Sequence, residues 1–153
     1  MPIIRTPSLN EYDSAAVIAT VHPGPLPKAD TPELYRHHFR LLRQGLQGWM
    51  EGRAQPQGMP SYAEFKAGIA QVLSDISARQ PGKVLVVSSG GPIATTVGHV
   101  LGTPAATTIE LNFHIRNSAV SELIYNPKGH RLISYNTLYH LDGEAHRDWV
   151  TFT

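Results

Sequence analysis

Val84-Leu85-Val86-Val87-Ser88-Ser89-Gly90-Gly91-Pro92 sets the architecture expected of this chain. Four apolar residues in a row, three of them valine, predict a strand. Their continuity, where a half-exposed strand would alternate, predicts cover on both faces, as for a central strand of a parallel sheet with helices above and below. The Pro81-Gly82 pair breaks the chain just before this run, and Ser88-Ser89-Gly90-Gly91 turns it at the other end. Pro92 suits the first turn of a following helix, whose inner face is expected at Ile93, Val97, Val100 and Leu101, with Gly102 as its stop.

Upstream, Ser61-Tyr62-Ala63-Glu64 has the form of a capping box and predicts a helix with an apolar stripe at Tyr62, Phe65, Ile69, Val72, Leu73 and Ile76. Residues Gly52 to Pro60 separate it from an earlier helix, capped by Asp30 or Thr31 and carrying Pro32 and Glu33 in its first turn. In that helix Tyr35, Phe39, Leu42, Leu46 and Trp49 recur at three- and four-residue steps, with Tyr35, Trp49 and Phe65 expected as core anchors. The stretch from His22 to Pro32 holds four prolines and reads as an irregular connection. Downstream, Thr107 to Arg116 is ambiguous. Ala119 to Tyr125 and Arg131 to Tyr135 then predict two strands joined at Asn126-Pro127-Lys128-Gly129, an antiparallel hairpin. Helices, a buried strand and a hairpin in this order predict an α/β fold, a three-layer α/β/α domain with a mainly parallel central sheet spanning residues 1–153 as one unit.

Composition narrows the function classes. The 153 residues suffice for one domain, and 13 Lys+Arg against 12 Asp+Glu give a net charge of +1, which provides no dedicated nucleic-acid or membrane surface. With no cysteine, disulfide frameworks, thiolate metal sites and cysteine nucleophiles are excluded. No apolar run approaches the about 18 residues of a membrane span, and no signal-peptide layout opens the chain, so a soluble cytoplasmic domain is expected. A zinc site assembled from His99, His114, His140 or His146 would lack thiolates and any H-E-x-x-H spacing, so no metal or cofactor is expected.

The chemistry concentrates at the strand–turn–helix junction. Free amides at the start of a helix, together with its dipole, favour an anion, and phosphate above all. A plain βα turn with glycines serving geometry alone accounts for the same residues. The junction is not a nucleotide phosphate loop, since no G-K-[ST] follows, and it fails the G-x-S-x-G pattern of an esterase elbow.

The stretch VLVVSSGGPIATTVGHVLG, followed by IRNSAV and SYNTLYHL, resembles the C-terminal half of the histidine phosphatase superfamily, the phosphoglycerate-mutase-like proteins, in which a central strand ends in a [ST]-H-G-G turn. Ser8-Leu9-Asn10-Glu11-Tyr12-Asp13 is similar to the family's L-x-E element, which supplies an acidic residue to the phosphate pocket. The resemblance implies phosphoryl transfer to a histidine, followed by hydrolysis of the phosphohistidine. It places Glu11 as acid/base, Ser89 at the catalytic position of the family's second histidine, and Ser88, Gly90 and Gly91 in the phosphate cradle. Arg116 is implied either as a phosphate clamp or as a surface ion-pair partner, Asn117 as a pocket-lining residue, and His140 as structural packing.

Two departures limit what the resemblance carries. The family's phosphoacceptor histidine lies in an R-H-G turn ending the first strand, well before the L-x-E element, and the sequence contains no such tripeptide. Arg36-His37-His38 falls inside a predicted helix and lacks the glycine. Serine in place of the second histidine also removes a cationic donor. The expectation is a phosphatase-like domain, inactive as this chain, that meets phosphate or a phosphorylated small molecule. A missing first strand would leave an open sheet edge, so either a poorly stable fragment or a homodimer is expected. Two other readings stay open: a non-catalytic domain that binds phospholigands or proteins, and a serine hydrolase using Ser88 or Ser89.

Overall fold

The computed structural model describes residues 3–79, 82–126 and 128–152. Among these are five α-helices, three short 3-10 turns and a single pair of strands. The chain is α/β and divides into two compact units, one spanning Tyr12–Gly68 and the other formed by the residues up to Glu11 together with those from Ile69 onward. No helix among the described residues is long and apolar enough to cross a membrane.

The Tyr12–Gly68 unit contains α1 (Ser14–Ala19), α2 (Pro32–Met50) and the first turns of α3 (Tyr62–Arg79). Asp13 caps α1 by accepting from the amides of Ala15 and Ala16 at 2.9 and 3.1 Å. Thr31 caps α2 by accepting from the Leu34 amide at 3.2 Å, with Pro32 as the first helical residue. The capping box of α3 forms as the sequence predicts: Ser61 N–H donates to the Glu64 carboxylate at 2.8 Å and Glu64 N–H to the Ser61 hydroxyl at 3.3 Å. The Ser61 hydroxyl also donates to the Glu64 carboxylate at 2.7 Å, and this bond, with the one from the Ser61 amide, holds the Glu64 carboxyl below its ordinary range.

Trp49 is the centre of this unit. It is buried, and its indole N–H donates to the Pro60 carbonyl at 3.1 Å, which satisfies the one polar atom the ring carries. Tyr12, Tyr62 and Phe65 surround it with ring centroids 5.9, 5.2 and 5.3 Å away. Tyr35, by contrast, is 54% exposed, with its ring tilted against Phe39 at 4.7 Å, so it is not the core anchor the spacing suggested. The buried stripe of α2 runs instead through Leu41, Gly45, Leu46, Gly48 and Trp49. Glycine fits here because α1 lies against this face: a Cβ on Gly45 would stand 2.5 Å from the Val17 carbonyl oxygen.

The second unit contains the rest of α3, α4 (Gly90–Leu101), α5 (Ala105–Phe113), β1 (Val120–Asn126) and β2 (Gly129–Thr137). Helix α4 ends at Gly102, whose φ of +67° supplies the left-handed cap. The ambiguous 107–116 region is mostly α5, which packs on α4. Their contact is made by small residues: Gly98 faces Thr108 and Thr103, whose hydroxyls bond each other at 2.8 Å. The buried face of α4 therefore comprises Ala94, Thr95, Val97 and Gly98, while Leu101 is exposed, which corrects the expected inner face except at Val97.

Strands β1 and β2 pair antiparallel, with Leu123 opposite Leu132 and Asn126 opposite Gly129, as the hairpin reading expects; Pro127 of the turn lies outside the described residues. The ladder is irregular between Val120 and Leu123. On the opposite strand Asn136 takes a left-handed φ of +58° and donates its amide to the Ser121 hydroxyl at 3.1 Å.

The expected central strand does not form. Val84–Val87 forms no regular element and has no ladder partner among the described residues, and Leu85 and Val87 are 72% and 82% exposed. A continuous apolar run is buried only when neighbouring strands and covering helices exist to bury it, and among the described residues no strand pairs with this one. The only sheet among the described residues is the antiparallel hairpin, so the parallel sheet is not observed.

Two outcomes test this packing. Gly45→Ala gains helix propensity of about 0.5–1 kcal/mol, yet drives a methyl into a backbone oxygen that cannot swing away. The expected net result is a loss of about 1–2 kcal/mol by urea denaturation. Tyr135 donates its hydroxyl to the Leu111 carbonyl at 2.6 Å, and burial pushes its ionisation up to about 12 from 10.0. The neutral form is thus favoured in the fold, so stability is complete below about pH 10 and falls as pH rises toward 12. Tyr135→Phe should remove that alkaline loss, read by denaturation at each pH.

Candidate functional site

The N-terminal segment and the start of α4 are fastened together. Pro7–Leu9 forms one 3-10 turn, closed by the Asn10 amide on the Pro7 carbonyl at 3.0 Å, and this aims Leu9 and Glu11 at the Ser88–Gly91 turn. The Ser88 hydroxyl donates to the Leu9 carbonyl at 2.7 Å, and the Gly91 amide donates to the Glu11 carboxylate at 2.9 Å. Two bonds between segments some 80 residues apart thus fix both the backbone and the side chain of the acidic element.

Ser89 is the N-cap of α4, with extended backbone (φ −102°, ψ 179°) and no capping bond from its own hydroxyl. A Ser N-cap ordinarily accepts from an amide of the first turn. Here the Glu11 carboxylate takes the Gly91 amide instead. A carboxylate at a helix N-terminus meets both a free donor and the positive end of the dipole, and the bond is charge-assisted. Gly90 and Gly91 are helical and buried, and neither has a positive φ, so they serve close approach of backbone and neighbours. Glu11 itself is an exposed residue.

The remaining candidates lie in the same unit. The Arg116 amide donates to the Asn136 side-chain oxygen at 2.9 Å, and its guanidinium donates to the Asn136 carbonyl. Asn117 donates from its side chain to the Thr151 hydroxyl at 2.8 Å and to the Phe152 carbonyl at 3.3 Å, while Arg116 bridges Phe152. These two residues therefore tie the C-terminal tail and β2 to the 116–120 segment. Glu11, Ser88 and Gly91 are brought together. Ser118, with a φ of +60°, has its hydroxyl 3.2 Å from Nε2 of the exposed His140.

Arg36, His37 and His38 lie in α2 as expected; the His37 ring meets His22 edge-on at 6.4 Å. Among the described residues no group of three or more His, Asp or Glu could hold a metal ion. Sequence reasoning missed the Leu9 carbonyl as the partner of Ser88, for which a backbone acceptor gives no signal. It also missed the capping role of Asp13, although Asp before Ser-Ala-Ala is an ordinary helix-start pattern.

Compared with family models, residues 21–138 match the histidine phosphatase superfamily (branch 1). That is well over half of the chain, and the chain belongs to this superfamily. The matched range contains the Ser88–Gly91 turn and the Arg116–Asn117 segment, while Glu11 lies before it. Comparisons with curated proteins and with solved structures gave no match.

The two fastening bonds respond differently to salt. Glu11→Gln keeps an acceptor but removes the charge, and should cost about 0.3–1 kcal/mol at low ionic strength, shrinking as salt is raised. Ser88→Ala should cost about 0.5–1.5 kcal/mol at every salt concentration. Urea denaturation of both variants at low and high salt checks the contrast.

Proposed function

We propose that this chain carries the phosphoryl-binding half of a histidine-phosphatase site, taking phosphate or a phosphorylated small molecule at the first turn of α4 without hydrolysing it on its own. The observation that carries the reading is the 2.9 Å bond from the Gly91 amide to the Glu11 carboxylate. It puts the acid that the family resemblance assigns to the pocket on the amide that the same resemblance assigns to the cradle.

In this reading the amides of Gly90 and Gly91 and the Ser89 hydroxyl receive the phosphoryl oxygens, and Ser88 holds the turn through Leu9. Glu11 has two tasks. Ionised, it competes with an incoming anion for the Gly91 amide. Protonated, it yields that amide and can hydrogen-bond a leaving-group oxygen, as general acid catalysis requires. Arg116 and Asn117 act as pocket wall, because their donors are engaged with Asn136 and the tail. Turnover through a phosphohistidine needs a nucleophilic imidazole beside this cradle, and no histidine occupies positions 82–98 or 1–21 of the sequence. The Ser88 hydroxyl donates to the Leu9 carbonyl rather than to a general base, which speaks against serine hydrolysis through it.

Orthovanadate at millimolar concentration should raise the melting temperature, and Glu11→Gln should enlarge the rise by removing the competing charge. The same preparation should release phenol from an aryl phosphate no faster than buffer. Robust turnover by the 153-residue chain overturns the catalytic half of the proposal. Absence of any vanadate-dependent shift overturns the binding half.

A further inference from the structure

We propose that Arg116 and Asn117 form a docking edge for an extended, serine- or threonine-bearing peptide segment of a partner protein, and that Thr151 and Phe152 occupy it in the free chain as a releasable stand-in. The inference goes beyond the phosphate reading and does not depend on it. It rests on the contrast between a firmly held edge and a lightly held occupant.

The edge is anchored on both sides of Asn117. The Arg116 amide donates to the Asn136 side-chain oxygen at 2.9 Å, and its guanidinium donates to the Asn136 carbonyl. Ile115, just before, is buried. Ser118, just after, takes a left-handed φ of +60° in a turn closed by the Ala119 amide on the Arg116 carbonyl at 3.2 Å. None of these contacts involves the occupant. Asn117 is exposed, and its backbone amide donates to the Thr151 carbonyl at 2.8 Å. Its side-chain amide donates to the Thr151 hydroxyl at 2.8 Å and to the Phe152 carbonyl at 3.3 Å. Arg116 and Phe152 pair as an isolated antiparallel bridge.

The occupant brings little apolar burial to this contact. Phe152 is 61% exposed, Trp149 shortly before it 64%, and Thr151 is exposed as well. Hydrogen bonds open to water are exchanged for water at small net cost, so a segment held mainly by them opens readily. Once open, the edge offers a main-chain donor and a side-chain amide in a fixed setting, the means by which an extended peptide is added to a free edge. The resident pair shows which ligand fits. A carbonyl receives the backbone amide, and a hydroxyl with the next carbonyl receives the side chain. Serine and threonine supply that hydroxyl, while the exposed Phe152 ring sets little demand on the residue that follows.

The probe is a capped peptide with the sequence of residues 148–153, titrated into the ¹⁵N-labelled full chain. Thr151→Val removes the resident hydroxyl at nearly constant shape. That variant should bind the peptide about three- to tenfold more tightly than the unsubstituted chain, in which the resident segment competes at high effective concentration. Binding should shift the Asn117 backbone and side-chain amide signals and saturate at millimolar peptide. A peptide with valine in place of its threonine should bind about three- to tenfold more weakly. Asn117→Ala, which keeps the backbone donor and loses the side-chain one, should bind the two peptides alike. In the unsubstituted chain the Asn117 amide should exchange its hydrogen about a hundredfold faster than the ladder amides of β1 and β2. No shift at Asn117 in either chain up to about 10 mM peptide, equal binding of the two peptides by Thr151→Val, or an Asn117 amide as protected as the ladder would each overturn the inference.

Discussion

A single backbone amide, that of Gly91, holds the site together. It is among the first donors of α4 without an intrahelical acceptor, and the Glu11 carboxylate fills that vacancy from a segment 80 residues away. Without this bond and its neighbour from Ser88 to Leu9, the N-terminal stretch would lose two hydrogen bonds that hold it against the glycine turn. On the proposed reading the same bond bears on function, because the donor it uses is one that an incoming anion would need.

How far the sequence could be read depends on how local the determining physics is. The capping box at Ser61 and Glu64, the Thr31–Pro32 start of α2 and the Gly102 stop are decided within one turn of helix, and all three form as read. The hairpin register follows from a short turn and cross-strand neighbours, and it too forms. Burial is different, since it depends on what lies opposite. Leu46 and Trp49 are buried as the periodicity suggests, yet Tyr35 on the same stripe is not, because α1 covers the Gly45 end of α2. In α4 the residues that meet α5 are the small ones, which an apolar count passes over.

Val84–Val87 is the sharpest case. Its composition states what the strand would need, namely neighbours on both edges and cover on both faces, and the described residues provide neither edge. The sequence gives a requirement, whereas the structure gives its fulfilment or its absence. The site divides along the same line. The Ser88–Gly91 turn is marked in the sequence by helix physics, and Glu11 only through family resemblance, since a lone loop carboxylate carries no signal. The engagement of Arg116 and Asn117 with Asn136 and the tail required coordinates, because their partners lie about 20 and 35 residues away.

The central claim is that the first turn of α4 is an anion cradle in which Glu11 holds the donor an anion would use. Nuclear magnetic resonance of the ¹⁵N-labelled chain during a titration with inorganic phosphate addresses it residue by residue. The account predicts that the Gly90 and Gly91 amides shift progressively and saturate, together with the Glu11 side-chain carboxyl carbon in a ¹³C-labelled sample. Shifts confined to other residues, or none at all up to tens of millimolar phosphate, would contradict it.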